Sequence, residues 1–146
     1  MRTVDIYIDT SIKGPRRRDG ECLYILAFRA QNGATADMGR RIRREETTEN
    51  QLALLGLEAA LRHLREPCRL ILHLECNYVA SALQNRWYDE WRNRGWMNAK
   101  NEVVRDADIW QDIEYLLNAH TFEVALKQPH TYREWMRREL DAAGGV

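Results

Sequence analysis

The run Thr3-Val4-Asp5-Ile6-Tyr7-Ile8-Asp9-Thr10-Ser11 decides the fold. Val4, Ile6 and Ile8 alternate with Thr3, Asp5, Tyr7 and Asp9, a period of two that sends apolar side chains to one face of a β-strand. Lys13 to Gly20 is then a basic turn carrying Gly and Pro, and two more extended stretches follow, Cys22 to Ala30 and Gly33 to Arg43. The chain opens as a meander of three strands. The period changes at Thr48-Glu49-Asn50-Gln51, which has the form of a capping box. After it Leu52, Leu54, Leu55, Leu57, Leu61 and Leu64 recur at helical spacing up to Pro67.

Further on, Arg69 to Leu74 predicts a short apolar strand and Tyr78 to Leu83 a helix. Next come a Trp-rich helical stretch from Trp87 that breaks at Gly95 and an amphipathic helix from Ala107 to Leu117. Thr121 to Lys127 predicts a last strand and Tyr132 to Ala142 a terminal helix. The predicted order is βββαβααβα, an α/β fold with a five-stranded mixed sheet flanked by helices, three strands antiparallel and then two parallel. No repeat and no Pro, Gly or Ser linker divides the 146 residues, so 1–146 is read as one domain.

Composition narrows the function classes. Twenty-two basic side chains balance twenty-two acidic ones, so any attraction to nucleic acid is local rather than global. Cys22, Cys68 and Cys76 are odd in number and lack C-x-x-C spacing, which argues against a zinc site, a disulfide framework or a disulfide-linked partner. With no hydrophobic targeting segment and no apolar run near the ~18 residues that cross a bilayer, a soluble cytoplasmic protein without a membrane partner is expected.

Tyr7-Ile8-Asp9-Thr10-Ser11 closes the first strand, and Leu74-Glu75-Cys76-Asn77-Tyr78-Val79 follows the fourth. Between Trp87 and Trp110 the pattern is W-x3-W-x3-G-W, then Val103-Val104 and Asp108-Ile109-Trp110. Together these resemble the type 1 bacterial ribonucleases H, the ribonuclease HI family. There the first strand ends in a T-D-G-S-like turn and the fourth in T-D-S-x-Y-V. The likeness runs almost without gaps from Asp5 to Lys127. It implies the five-stranded mixed sheet already read from the pattern, and endonucleolytic hydrolysis of the RNA strand of an RNA/DNA hybrid. In the family that chemistry uses two Mg²⁺ ions held by four carboxylates, since hard cations want oxygen ligands.

Carried over one position at a time, the resemblance describes a divergent member with altered metal-site carboxylates. Asp9 matches the first ligand. The second, a glutamate in the first helix, is matched by Ala53, which cannot ligate. Glu58 is about 140° further round the helix, and Glu49 points toward the helix N-terminus, where its charge is favourable. Glu75 stands at the third position, one methylene longer than the family's aspartate. Glu139 is the gap-free match for the fourth, with Glu134 and Asp141 as alternatives. His130, in Gln128-Pro129-His130-Thr131, lies one residue from the family's catalytic histidine. With Asp9, Glu75 and Glu139 as the expected set, one Mg²⁺ or Mn²⁺ is expected rather than two, with weakened activity.

Nucleic-acid contacts are expected from Ser11, from the amides of Asn50 and Asn77, and from Arg92, Arg94 and Trp87 of the handle-like segment. Amides both donate and accept, which suits the wide minor groove of a hybrid. Asp89, Glu90 and Glu102 dilute the handle's positive charge. Two functions therefore lead, with a protein-interaction domain reusing the scaffold as a third. One is a ribonuclease H-type enzyme acting on RNA/DNA hybrid. The other is a catalytically degenerate module that binds hybrid or double-stranded RNA.

Overall fold

The computed structural model describes residues 1–144. Strands β1 (Arg2–Thr10), β2 (Arg18–Arg29) and β3 (Thr35–Thr47) precede helix α1 (Glu49–Leu61) and strand β4 (Cys68–Leu74). Then come α2 (Asn77–Gln84), α3 (Trp87–Asn93), α4 (Ala107–Leu117), β5 (Thr121–Leu126) and α5 (Arg133–Gly144). Three helices separate β4 from β5, at the three helical stretches read from the sequence, one more than the order βββαβααβα counts. Arg86 takes a left-handed conformation with φ 52°, which parts α2 from α3 although no proline intervenes.

The sheet runs β3-β2-β1-β4-β5. β1, β2 and β3 pair antiparallel, whereas β4 lies parallel to both β1 and β5, the mixed pattern predicted. β2 and β3 are longer than predicted because the ladder continues to Arg18 and Thr47 through a register shift between Arg18 and Gly20.

As the central strand, β1 is buried on both faces. Val4, Ile6 and Ile8 pack with Leu70, Leu72 and Leu74 of β4, with Leu52, Leu54 and Leu57 of α1, and with Trp110 of α4. The opposite face carries Tyr7, Leu23, Ile25 and Ala27, covered by Met136 and Leu140 of α5. The polar half of the β1 alternation is therefore interior as well: Asp5 is 4% exposed and Asp9 5%. Buried carboxylates need partners, and those partners organise the rest of the site.

At α1, Thr48 accepts the Gln51 backbone N–H at 3.1 Å, half of the predicted capping box. The Gln51 side chain does not close the box; it meets the Thr47 hydroxyl and donates to Asp106 at 2.9 Å. Gly56 lets α1 approach the sheet closely, since a Cβ there would stand 2.4 Å from Cys22 Sγ. Three residues earlier, Ala53 is held against the ends of β1 and β4.

Candidate active site and nucleic-acid groove

Because β1 and β4 are parallel neighbours with Ile8 opposite Leu74, the next residue of each stands beside the other, one still in β1 and one just past the end of β4. They are Asp9 and Glu75, and both line one small hollow with Ala53. The structure brings together these two carboxylates, expected in one site, with Ala53 beside them.

Their partners were not foreseen. Asp9 Oδ1 accepts from Lys13 Nζ at 2.6 Å and from the Thr10 backbone N–H at 2.8 Å, while Oδ2 accepts from Arg137 Nη1 at 3.0 Å. Glu75 takes both arms of Arg133, Nη2 at 3.0 Å and Nε at 3.2 Å. Arg133 and Arg137 are four residues apart, so one face of α5 delivers both guanidiniums. The Arg-x3-Arg spacing was visible in the sequence. Which way it faced was not.

Of the remaining carboxylates, Glu139 and Glu49 turn elsewhere, while Asp141 and Glu134 stay at the rim of the site. Glu139 pairs with Arg41 of β3, away from Asp9 and Glu75, which corrects its expected place as the fourth ligand. Two positions beyond Arg137, it is carried to another side of α5 by the ~100° turn per residue. Asp141 pairs with Arg137, and Glu134 lines the outer mouth above Asp9 and Glu75. Glu49 accepts the Gly14 backbone N–H at 3.0 Å. Among the described residues no three of His, Cys, Asp and Glu stand close enough together to hold a metal ion. Two carboxylates, each engaged by basic side chains, do not fit a two-ion centre that needs many oxygen ligands.

His130 is half-buried, its ring 4.5 Å from Tyr7 and 5.4 Å from His73, and its Nδ1 accepts the Tyr132 N–H at 3.2 Å. Burial, with help from nearby His73 and Arg133, pushes it down to about 4. It is neutral at physiological pH. A second buried network lies along the same face: Asp5 accepts both arms of Arg29, at 2.7 and 2.9 Å, and meets His73 Nε2 at 2.9 Å. Burial opposes ionisation of Asp5, yet Arg29 and His73 outweigh it and hold the carboxyl below its usual range.

Beside the carboxylate pair runs a groove of about 480 Å³. Asn50 and Asn77 both line it, together with Lys13, Arg105, Lys127 and Arg137. Asn50 Oδ1 also accepts from Cys76 Sγ at 3.2 Å, which ties the start of α1 to the start of α2. Lys127 has φ 52°, and its N–H donates to the Leu74 carbonyl at 2.8 Å, so the end of β5 turns toward the site.

The other expected contacts are engaged elsewhere. Ser11 Oγ accepts the Glu21 N–H at 2.9 Å in the first hairpin. In the handle, Arg92 pairs with Asp89 and Glu114, and Arg94 reaches Glu90 at 3.9 Å. Trp87 packs on Tyr78 and Trp91 against the core. The Trp stretch is thus held together by its own acids and rings. Cys22, Cys68 and Cys76 are free and buried.

The mixed sheet, the flanking helices and the strand-end carboxylates define an α/β protein of the ribonuclease H-like class. The family model described as RNase H matches residues 1–133, and the chain belongs to the ribonuclease H family. It is 26% identical to a ribonuclease H of Acetivibrio thermocellus over 94% of this chain and 90% of that one. To a ribonuclease H of Oleidesulfovibrio alaskensis it is 29% identical over 90% and 81%. The fold is shared with LC9-RNase H1, described as a type 1 RNase H with the type 2 active-site motif. There the TM-score is 0.79 at 22% identity over 99% of this chain and 72% of that one. A foamy viral protease-reverse transcriptase in complex with RNA/DNA hybrid superposes with a TM-score of 0.67 at 15% identity, over 99% of this chain and 20% of that one. The family as a whole works with divalent metals. Among the described residues no helix is long and apolar enough to cross a membrane.

Proposed function

We propose that this chain binds RNA/DNA hybrid along the groove beside Asp9 and Glu75, double-stranded RNA being the next substrate in preference, and that hydrolysis of the RNA strand is weak or lost. The observation that carries this reading is the groove itself. It gathers two amides, Asn50 and Asn77, with four cations, Lys13, Arg105, Lys127 and Arg137, against two acids, Glu49 and Glu75. Amides suit 2′-hydroxyls and base edges in a shallow minor groove, and the cations suit the flanking phosphates.

A second reading has one observation in its favour, the side-by-side placement of Asp9 and Glu75. On it, a single Mg²⁺ or Mn²⁺ displaces the guanidiniums and supports slow cutting, with neutral His130 nearby to accept a proton.

One experiment separates the two. Binding of labelled hybrid, double-stranded RNA and double-stranded DNA is measured beside cleavage in Mg²⁺ and in Mn²⁺. The proposal expects hybrid to bind best, Asn50→Ala and Asn77→Ala each to weaken binding about tenfold, and little cutting. Metal-dependent cutting abolished by Asp9→Asn establishes the second reading. Equal affinity for all three duplexes, or none, overturns both.

A further inference from the structure

We infer that Lys13, Arg133 and Arg137 are the standing counter-ions of the Asp9–Glu75 pair, filling the seat a divalent cation would take, and that this seat therefore holds backbone phosphate without metal. The phosphate part of the inference rests on the nucleic-acid reading above. The counter-ion part rests on geometry alone.

All four carboxylate oxygens accept from a cation: Asp9 from Lys13 and Arg137, Glu75 from the two arms of Arg133. The Asp9 side chain is 5% exposed and that of Glu75 14%, so each carboxylate is largely withdrawn from water and takes its hydrogen bonds from these partners. Packing, rather than chance placement of long side chains, sets the arrangement. Met136 and Leu140 bury α5 against Tyr7, Leu23 and Ile25, which fixes the face that Arg133 and Arg137 present. Arg137 is further pinned by the Thr10 carbonyl at 3.2 Å and by Asp141 at 3.2 Å.

A divalent ion entering here must break these charge-assisted bonds and then finds alanine at position 53 where a further oxygen is wanted. Phosphate meets the opposite situation. Lys13, Arg133 and Arg137 meet Asp9 and Glu75, with Asp141 on the outer edge of Arg137, and their side chains are 45%, 40% and 35% exposed. Each keeps N–H groups turned to solvent, and Lys13 and Arg137 stand in the groove with Arg105 and Lys127.

The test uses the full chain in two arms. In the first, Tm is followed while Mn²⁺ is added. Wild type and Ala53→Glu, whose guanidiniums are intact, are expected not to shift. The double variant Ala53→Glu with Arg137→Asp is expected to rise by roughly 5–10 °C at about a hundred times its Kd. A comparable rise in wild type overturns the inference, and wild type decides this even where a variant fails to fold. In the second arm, hybrid binding is measured in EDTA and in Mg²⁺. Affinities equal within about twofold, and a salt slope smaller by about one in Lys13→Gln and in Arg137→Gln, are expected. Loss of binding in EDTA, or unchanged slopes, overturns the phosphate seat. A chain that binds no hybrid in either buffer defeats the function proposed above, while the Mn²⁺ series still decides the counter-ions.

Discussion

Two aspartates four residues apart on one strand meet opposite fates. Asp5 and Asp9 share a face of β1, are buried to nearly the same degree, and each accepts from an arginine. The Asp5 partners, Arg29 of β2 and His73 of β4, belong to neighbouring strands and move only with the sheet. Asp9 is answered by Lys13 from a turn and by Arg137 from α5, 128 residues away. The same chemistry is therefore part of the framework at one end of the strand and detachable at the other. A carboxylate whose counter-ions sit on separate elements can exchange them for a ligand, and this is the end at which the groove opens.

The comparison breaks first, if it breaks, at Arg29. Arg29→Ala leaves Asp5 buried with His73 alone and is expected to cost about 2–3 kcal/mol in urea unfolding, less than a fully buried pair because Arg29 is itself half exposed. A loss no larger than that of an ordinary surface substitution would show that the two ends are alike.

Next in size is acid. The unfolded chain takes a proton onto His130 near 6.5 and the native chain only near 4, so the unfolded state binds more protons between these values. Stability is expected to fall by about 1–2 kcal/mol as pH drops from 6.5 to 4, allowing for partial solvent exposure. Below pH 4 a second loss follows as Asp5, held below its usual range, is protonated. Thermal melts of His130→Asn across this window are expected to be flatter than those of wild type; an identical slope would remove His130 from the account.

Arg137→Ala should cost less than Arg29→Ala, about 1 kcal/mol, because Asp9 keeps Lys13 and the Thr10 N–H. Equal or reversed costs in the same urea series would make Asp9 the framework residue instead. Smallest of all, Arg94→Ala in the handle is expected to change stability by under ~0.5 kcal/mol, since Arg94 meets only an exposed Glu90 at 3.9 Å. A larger effect would mean that the handle is a structural brace.

Much of this was legible before any coordinates. Alternation in Thr3 to Asp9, the leucine spacing after Thr48 and the apolar run to Leu74 placed the central strands and α1 within a few residues. Asp9 and Glu75 were brought into one site by the resemblance, and the parallel register of β1 and β4 sets them side by side. Glu139 could not be placed correctly by counting. Its direction depends on which side of α5 faces the sheet, and that is settled by Met136 and Leu140 seating on Tyr7, Leu23 and Ile25. For the same reason the sequence reading gave Arg133 and Arg137 no role. The handle arginines stand beside acids within a turn or on the next helix, Asp89, Glu90 and Glu114, and the Glu114 pairing across helices was not visible in their spacing.

What the amino-acid order determined by itself was local: the periods of two and 3.6, the strand-end carboxylates, and the alanine at position 53 that no folding can turn into a ligand. Tertiary structure alone decided which cations answer those carboxylates. Ionised groups buried in a low dielectric take whichever opposite charge packing brings within reach, and packing brought Lys13, Arg133 and Arg137 from distant parts of the chain.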